Sequence, residues 1–194
     1  MPKNFLQAQR GALMIEVLVT IVILAIGLLG LMQTQARLQK SEVESYQRTQ
    51  ALILLNDMAS RMATNRADVA SYATELTYLG VGATCPGAGA TLQSEDTREW
   101  CLALQGVAET LAGVGGVGAM VGARGCVETL SAGREYMVTV VWQGLIPISR
   151  PPPTVECGKN LYDIPADSDC EDNPDYCRRY VTTLIRLASL EPPV

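Results

Sequence analysis

The distribution of apolar residues changes character along the chain. Residues 1–11 are polar and carry Lys3 and Arg10, whereas residues 12–32 (ALMIEVLVTIVILAIGLLGLM) are apolar apart from one charge, Glu16. About 20 consecutive apolar residues suffice to cross a bilayer as a helix. From residue 33 the pattern becomes one-sided. Val43, Tyr46, Ile53, Leu54, Met58 and Met62 recur at spacings near three, four and seven, as on the buried stripe of an amphipathic helix. No glycine or proline interrupts the chain between 31 and 80. The pattern therefore predicts one helix over 12–64, apolar all round in its first half and one-sided in its second.

Further along, Asp96-x-x-Glu99 ahead of WCLALQGVAETLAG predicts a short helix over 96–111. A glycine-rich loop, GVGGVGAMVGARG, follows. CVETL (126–130) and EYMVTVVWQGL (135–145) then alternate with period two and predict a hairpin. Tyr136, Val138, Val140 and Trp142 share one face; Met137, Thr139 and Val141 share the other. RPPP (150–153) ends that strand, because proline cannot sit inside a sheet. YVTTLIRLA (180–188) predicts a last strand antiparallel to 135–143. The order of elements gives an α+β fold, a long helix packed on an antiparallel sheet of three or more strands.

The apolar run is longer than the core of an ordinary secretory signal, and no small-x-small cleavage site follows it. It reads as a retained anchor. Lys3 and Arg10 favour a cytoplasmic N-terminus, but Arg37 and Lys40 flank the other end, so charge alone leaves the orientation open. Glu16 is the informative residue, since a charge at the centre of a membrane helix costs about 2.5–3.5 kcal/mol. If the chain is cut after Gly11, Ala12 carries a free amine on the same helix face as Glu16, at i and i+4. That amine neutralises Glu16 in its own chain or in a neighbour, and a carboxylate in a first helical turn also suits the helix dipole. The alternative is a protonated or snorkelling glutamate with no role.

Charge and cysteine content narrow the chemistry. The chain has 15 basic and 20 acidic residues, a net charge of −5, and no histidine. The basic residues are scattered, which argues against a nucleic-acid-binding face. Without histidine, the commonest metal ligand and general base are missing. No nucleophile–base pair, metal cluster or phosphate cradle stands out, so the expectation is no enzyme, no cofactor and no metal. Gly113, Gly115 and Gly118 formally spell G-x-G-x-x-G, but a helix precedes them where a dinucleotide site needs a strand. Asp167-x-Asp169-x-Glu171 hints at calcium, but Asp172 and Arg178 stand where an EF-hand loop needs glycine and glutamate.

Six cysteines, Cys85, Cys101, Cys126, Cys157, Cys170 and Cys177, lie in the second half with no C-x-x-C spacing. An even, regional set of this kind points to disulfides and an oxidising compartment. The expected pairs are Cys85–Cys101, Cys157–Cys177 and Cys126–Cys170, although sequence alone does not fix the connectivity.

Gly11-Ala12-Leu13-Met14-Ile15-Glu16-Val17 resembles the prepilin motif of type IV pilins and type II secretion pseudopilins. The resemblance implies a leader (1–11) that a prepilin peptidase removes after Gly11, followed by N-methylation of Ala12. It gives Glu16 the role of registering subunits during assembly. The family usually carries phenylalanine or methionine where Ala12 stands. RTQALILLNDMASRMATNR (48–66), following ILAIGLLGLMQTQ (23–35), is similar to the PilV family of minor pilins. That resemblance implies a type IV pilin-like fold: a filament-core helix (12–32), its amphipathic continuation (33–66) and a periplasmic or extracellular domain (67–194). It also implies a path from a single-pass inner-membrane protein with a cytoplasmic N-terminus to the cell-surface pilus. The implied partners are other minor pilins, the major pilin, the inner-membrane assembly platform and a tip adhesin. A minor pseudopilin of a type II secretion system is the near alternative. A membrane-anchored periplasmic binding module is the distant one.

Overall fold

The structure, a computed structural model, describes residues 10–74, 77–107, 120–131, 134–162, 170–172 and 175–187, with side chains from residue 14 onward. The chain falls into two compact units, Met1–Val43 and Glu44–Val194. Helix α1 runs through Arg10–Thr64, close to the predicted 12–64. Among the described residues it is the one helix long and apolar enough to cross a membrane. In the first unit its side chains are exposed throughout, from Met14 to Val43. Thr20 and Thr34 turn their hydroxyls back to the carbonyls of Val17 and Gly30. Thr49 and Thr64 do the same further along the helix.

In the second unit α1 buries Gln47, Ala51, Leu55, Met58 and Met62, a single face at spacings of four and three. This corrects part of the expected stripe. Met58 and Met62 are inside, but Val43, Tyr46 and Ile53 are exposed and Leu54 is only partly covered. The helix has apolar residues on two sides, and the domain packs on the side where the small Ala51 allows close approach.

After Thr64 the chain continues through a 3-10 segment, Arg66–Tyr72, that buries Val69 and Tyr72. Among the described residues four strands follow: β1 (Leu79–Gly80), β2 (Arg124–Ser131), β3 (Glu135–Gln143) and β4 (Arg178–Arg186). They form one sheet in the order β1-β2-β3-β4, antiparallel at every step. Val127 faces Val138, and Val140 faces Val181. The alternation on β3 is as the sequence predicts. Tyr136, Val138, Val140 and Trp142 enter the main core beside Leu55, Met58 and Met62. Val141, on the opposite face, packs in a second, small core with Cys126, Cys157 and Tyr162.

Helix α2 spans Leu92–Leu104, so the predicted start at Asp96 is corrected. The cap is Thr91, which exchanges hydrogen bonds with Ser94 in a capping box. Asp96 is instead a buried residue within the helix. At the other end Gln105 caps the helix and Gly106 follows at a φ of 71°, so the helix stops short of the predicted 111. Residues 108–111 lie outside the described residues, as does the glycine-rich stretch with Gly113, Gly115 and Gly118.

Trp100, fully buried on α2, connects three elements. Its indole N–H donates to the Leu54 carbonyl of α1 at 2.9 Å, and its ring lies over Gly125 of β2, where an added Cβ would overlap it. The disulfides are Cys85–Cys101, Cys126–Cys157 and Cys170–Cys177. The first is as expected; the pairs Cys157–Cys177 and Cys126–Cys170 are corrected. Cys126 points to the outer face of β2, where the loop bearing Cys157 packs, and Cys177 closes a short turn with Cys170 just before β4.

The seat of Trp100 is testable. Gly125→Ala forces the ring or the strand to move and is expected to lower the unfolding free energy by about 1–3 kcal/mol. Denaturant titration of the full chain in detergent reads this. An unchanged midpoint would show that the ring does not lie against Gly125.

Candidate functional site

The first unit offers one chemical feature. Fourteen large apolar side chains between Met14 and Met32 are more than half exposed, and Glu16 stands among them. A helix apolar on every side over this length is long and apolar enough to cross a membrane. Among the described residues Glu16 forms no ion pair. Gly11 and Ala12 fall in the first turns of α1; the side chain of Ala12 lies outside the described part. Ala12 and Glu16 both fall within α1, at the N-terminal end of the apolar run.

The second unit holds its helical segment, residues 44–64, through three sets of contacts. At the segment's start the Glu44 carboxylate accepts from the Arg179 guanidinium of β4 and from the Leu145 backbone N–H, each at 3.1 Å. Arg179 also donates to the carbonyls of Ile146 and Tyr176. Near the middle is the Leu54–Trp100 bond. At the end, Arg61 is a hub: it reaches Asp57 at 3.0 Å, and Asp96 and Glu99 at 2.8 Å each. Asp96 also accepts from the Tyr72 hydroxyl at 2.5 Å, and Asn65 donates to that same hydroxyl. A carboxylate shared between a guanidinium and a phenol keeps its charge compensated in a nearly dry site. Burial, with the hydrogen bond to Asp96, pushes the Tyr72 phenol up to about 12.

The loop after β3 is fixed differently. Arg178 is almost fully buried beside Asp175, at 3.2 Å, and donates to the carbonyls of Val155 and Cys157. This pair and the Cys126–Cys157 bridge hold the loop over the outer face of the sheet. Of the acidic run considered for calcium, Asp167 and Asp169 lie outside the described residues. Among the described residues no group of histidine, cysteine, aspartate or glutamate has metal-ligand geometry.

The sequence reading missed these anchors. Arg61 and Asp57 carry a local signal, an i,i+4 pair of opposite charge. Asp96 lies 35 residues from Arg61, and Arg179 lies 135 from Glu44, so only the fold unites them. Comparison with known proteins, by family model, by sequence and by solved structure, returns no match.

The raised phenol of Tyr72 sets an alkaline limit. The folded chain holds the Tyr72 proton more tightly than the unfolded chain does. The resulting stabilisation is complete below about pH 10 and is lost as pH rises toward 12. Tyr72→Phe should cost about 1–2 kcal/mol at neutral pH through the lost bond to Asp96. Its stability should then fall less steeply than wild type between pH 10 and 12. Thermal melts across that range check both signs, and parallel curves for the two proteins would remove Tyr72 as the titrating group.

Proposed function

We propose that this chain is a minor pilin of the PilV type, a low-abundance subunit that primes assembly of a type IV pilus. In this reading it joins other minor pilins in a tip complex that presents an adhesin, and so supports twitching motility and attachment. The observation that carries the reading is the lone carboxylate Glu16 in an otherwise apolar helical run, four residues after the Gly11–Ala12 junction.

The mechanism follows from that spacing. The prepilin peptidase cuts after Gly11, leaving a methylated amine on Ala12. As the subunit enters the growing bundle, Glu16 meets the N-terminal amine of a neighbour. A correctly registered subunit compensates the charge; one that is out of register leaves it bare in an apolar surrounding, at about 2.5–3.5 kcal/mol. That difference is roughly a hundredfold in equilibrium. The apolar helices 12–32 form the filament core together with the major pilin. The disulfide-stapled domain makes the lateral contacts, and the inner-membrane platform drives extrusion. The three bridges support an oxidising destination, in keeping with the periplasm and then the cell surface.

A clean deletion in the native host tests the reading, scored for surface pili in sheared fractions and for secreted hydrolase activity. Loss of pili with normal secretion is expected. Normal pili with failed secretion would reassign the chain to a type II secretion pseudopilus. Complementation with Glu16→Ala should yield a membrane-inserted, disulfide-bonded chain that does not restore piliation. Full restoration would remove Glu16 from the assembly mechanism and favour a tethered module instead.

A further inference from the structure

On the outer side of the sheet lies a cavity of about 330 Å³ that no step of assembly uses. Its walls are mostly apolar, from Val81, Val121 and Leu161, and its polar lining comes from Arg124, Gln143 and Tyr162. Arg124 opens β2, in register with Val141 of β3 and Gly80 of β1. Its guanidinium carbon sits 5.1 Å from the centroid of the Tyr78 ring and 4.9 Å from that of Tyr162. One terminal nitrogen donates to the Gly122 carbonyl at 3.3 Å, and the Tyr162 hydroxyl donates to the same oxygen at 2.8 Å. Gly122, at a φ of 63°, supplies a turn that disfavours other residues.

The fork is thus fixed by two aromatic rings and a carbonyl. Yet among the described residues no carboxylate pairs with Arg124. Elsewhere in the chain the buried or half-buried arginines Arg61, Arg178 and Arg179 all have a carboxylate partner. A held guanidinium facing a cavity with apolar walls matches a ligand with one negative charge on an apolar body. Guanidinium and carboxylate pair through parallel hydrogen bonds, and the volume is at the small end of ligand sites. With a single cation in the lining, a phosphate dianion would be left half compensated.

We propose that this cavity binds an organic monocarboxylate, its carboxylate on Arg124 and its aliphatic or aromatic body against Val81, Val121 and Leu161. Such a group belongs equally to a free small acid and to the C-terminal residue of a peptide. The inference rests on the cavity alone and does not depend on the pilus reading.

Calorimetric titration of the full chain in nonionic detergent tests it. The probes are benzoate, acetyl-leucine and acetyl-alanyl-leucine, with benzamide and acetyl-leucinamide as neutral counterparts. Saturable binding of the acids, at least tenfold tighter than of the amides, is expected. Benzoate binding best points to a free acid; the dipeptide binding best points to a chain terminus. Arg124→Gln should weaken the acids by tenfold or more, and Arg124→Lys by less. Should Arg124→Gln fail to fold, Val121→Trp decides, because Val121 is largely exposed and its replacement fills the cavity while leaving Arg124 in place. No saturable binding of any acid at millimolar concentration would overturn the proposal. So would equal binding of the amides, or acid binding that survives Val121→Trp.

Discussion

The position of Trp100 constrains the whole globular unit. One ring must lie in a slot bounded by α1 on one side and β2 on the other, with its N–H on a helix carbonyl and its six-membered edge over a residue without a side chain. Glycine at 125 is what permits that approach. The depth of the slot sets how near the sheet lies to α1, and from that follows which face of the helix is covered. The small Ala51 and the long, adaptable Met58 and Met62 fill the space left around the ring.

Around this apolar centre, charge is arranged in compensated groups. Arg61 and Asp96 close one end of the helical segment, and Glu44 and Arg179 close the other. Arg178 and Asp175 fix the loop that covers the outer sheet face. Each brings together parts of the chain whose side chains would be costly to bury singly. The result is a domain with a main core against α1 and a lesser one outside, the latter cross-linked by Cys126–Cys157.

What was legible in the sequence is what depends on local period. The uninterrupted run from Ala12 to Met32, the alternation on β3 and the lone Glu16 are patterns that one chain segment carries in full. What was not legible depends on pairs distant in the chain. Asp96 reads as a helix cap because its sequence neighbours suit one; its actual partners, Tyr72 and Arg61, are 24 and 35 residues away. The choice of Ala51 and Leu55 over Tyr46 and Ile53 as the covered face is a matter of fit to Trp100, which hydrophobicity does not encode. The pairing of Cys126 with Cys157 likewise follows from which side of β2 faces the loop, and the cradle of Arg124 draws on Tyr78 and Tyr162, which lie far apart in the chain.

The distribution of the covalent staples has a mechanical meaning. All three bridges lie between Cys85 and Cys177, downstream of α1. The helical segment 44–64 is therefore joined to the rest of its unit by the backbone at Asn65 and otherwise by side-chain contacts. A pull along this segment loads those contacts in shear, with the Glu44 pair, the Leu54–Trp100 bond and the Arg61 hub sharing the tension. The stapled domain resists unravelling while its attachment to the helix remains reversible. Every contact that holds the segment is thus one that breaks and re-forms without any covalent change.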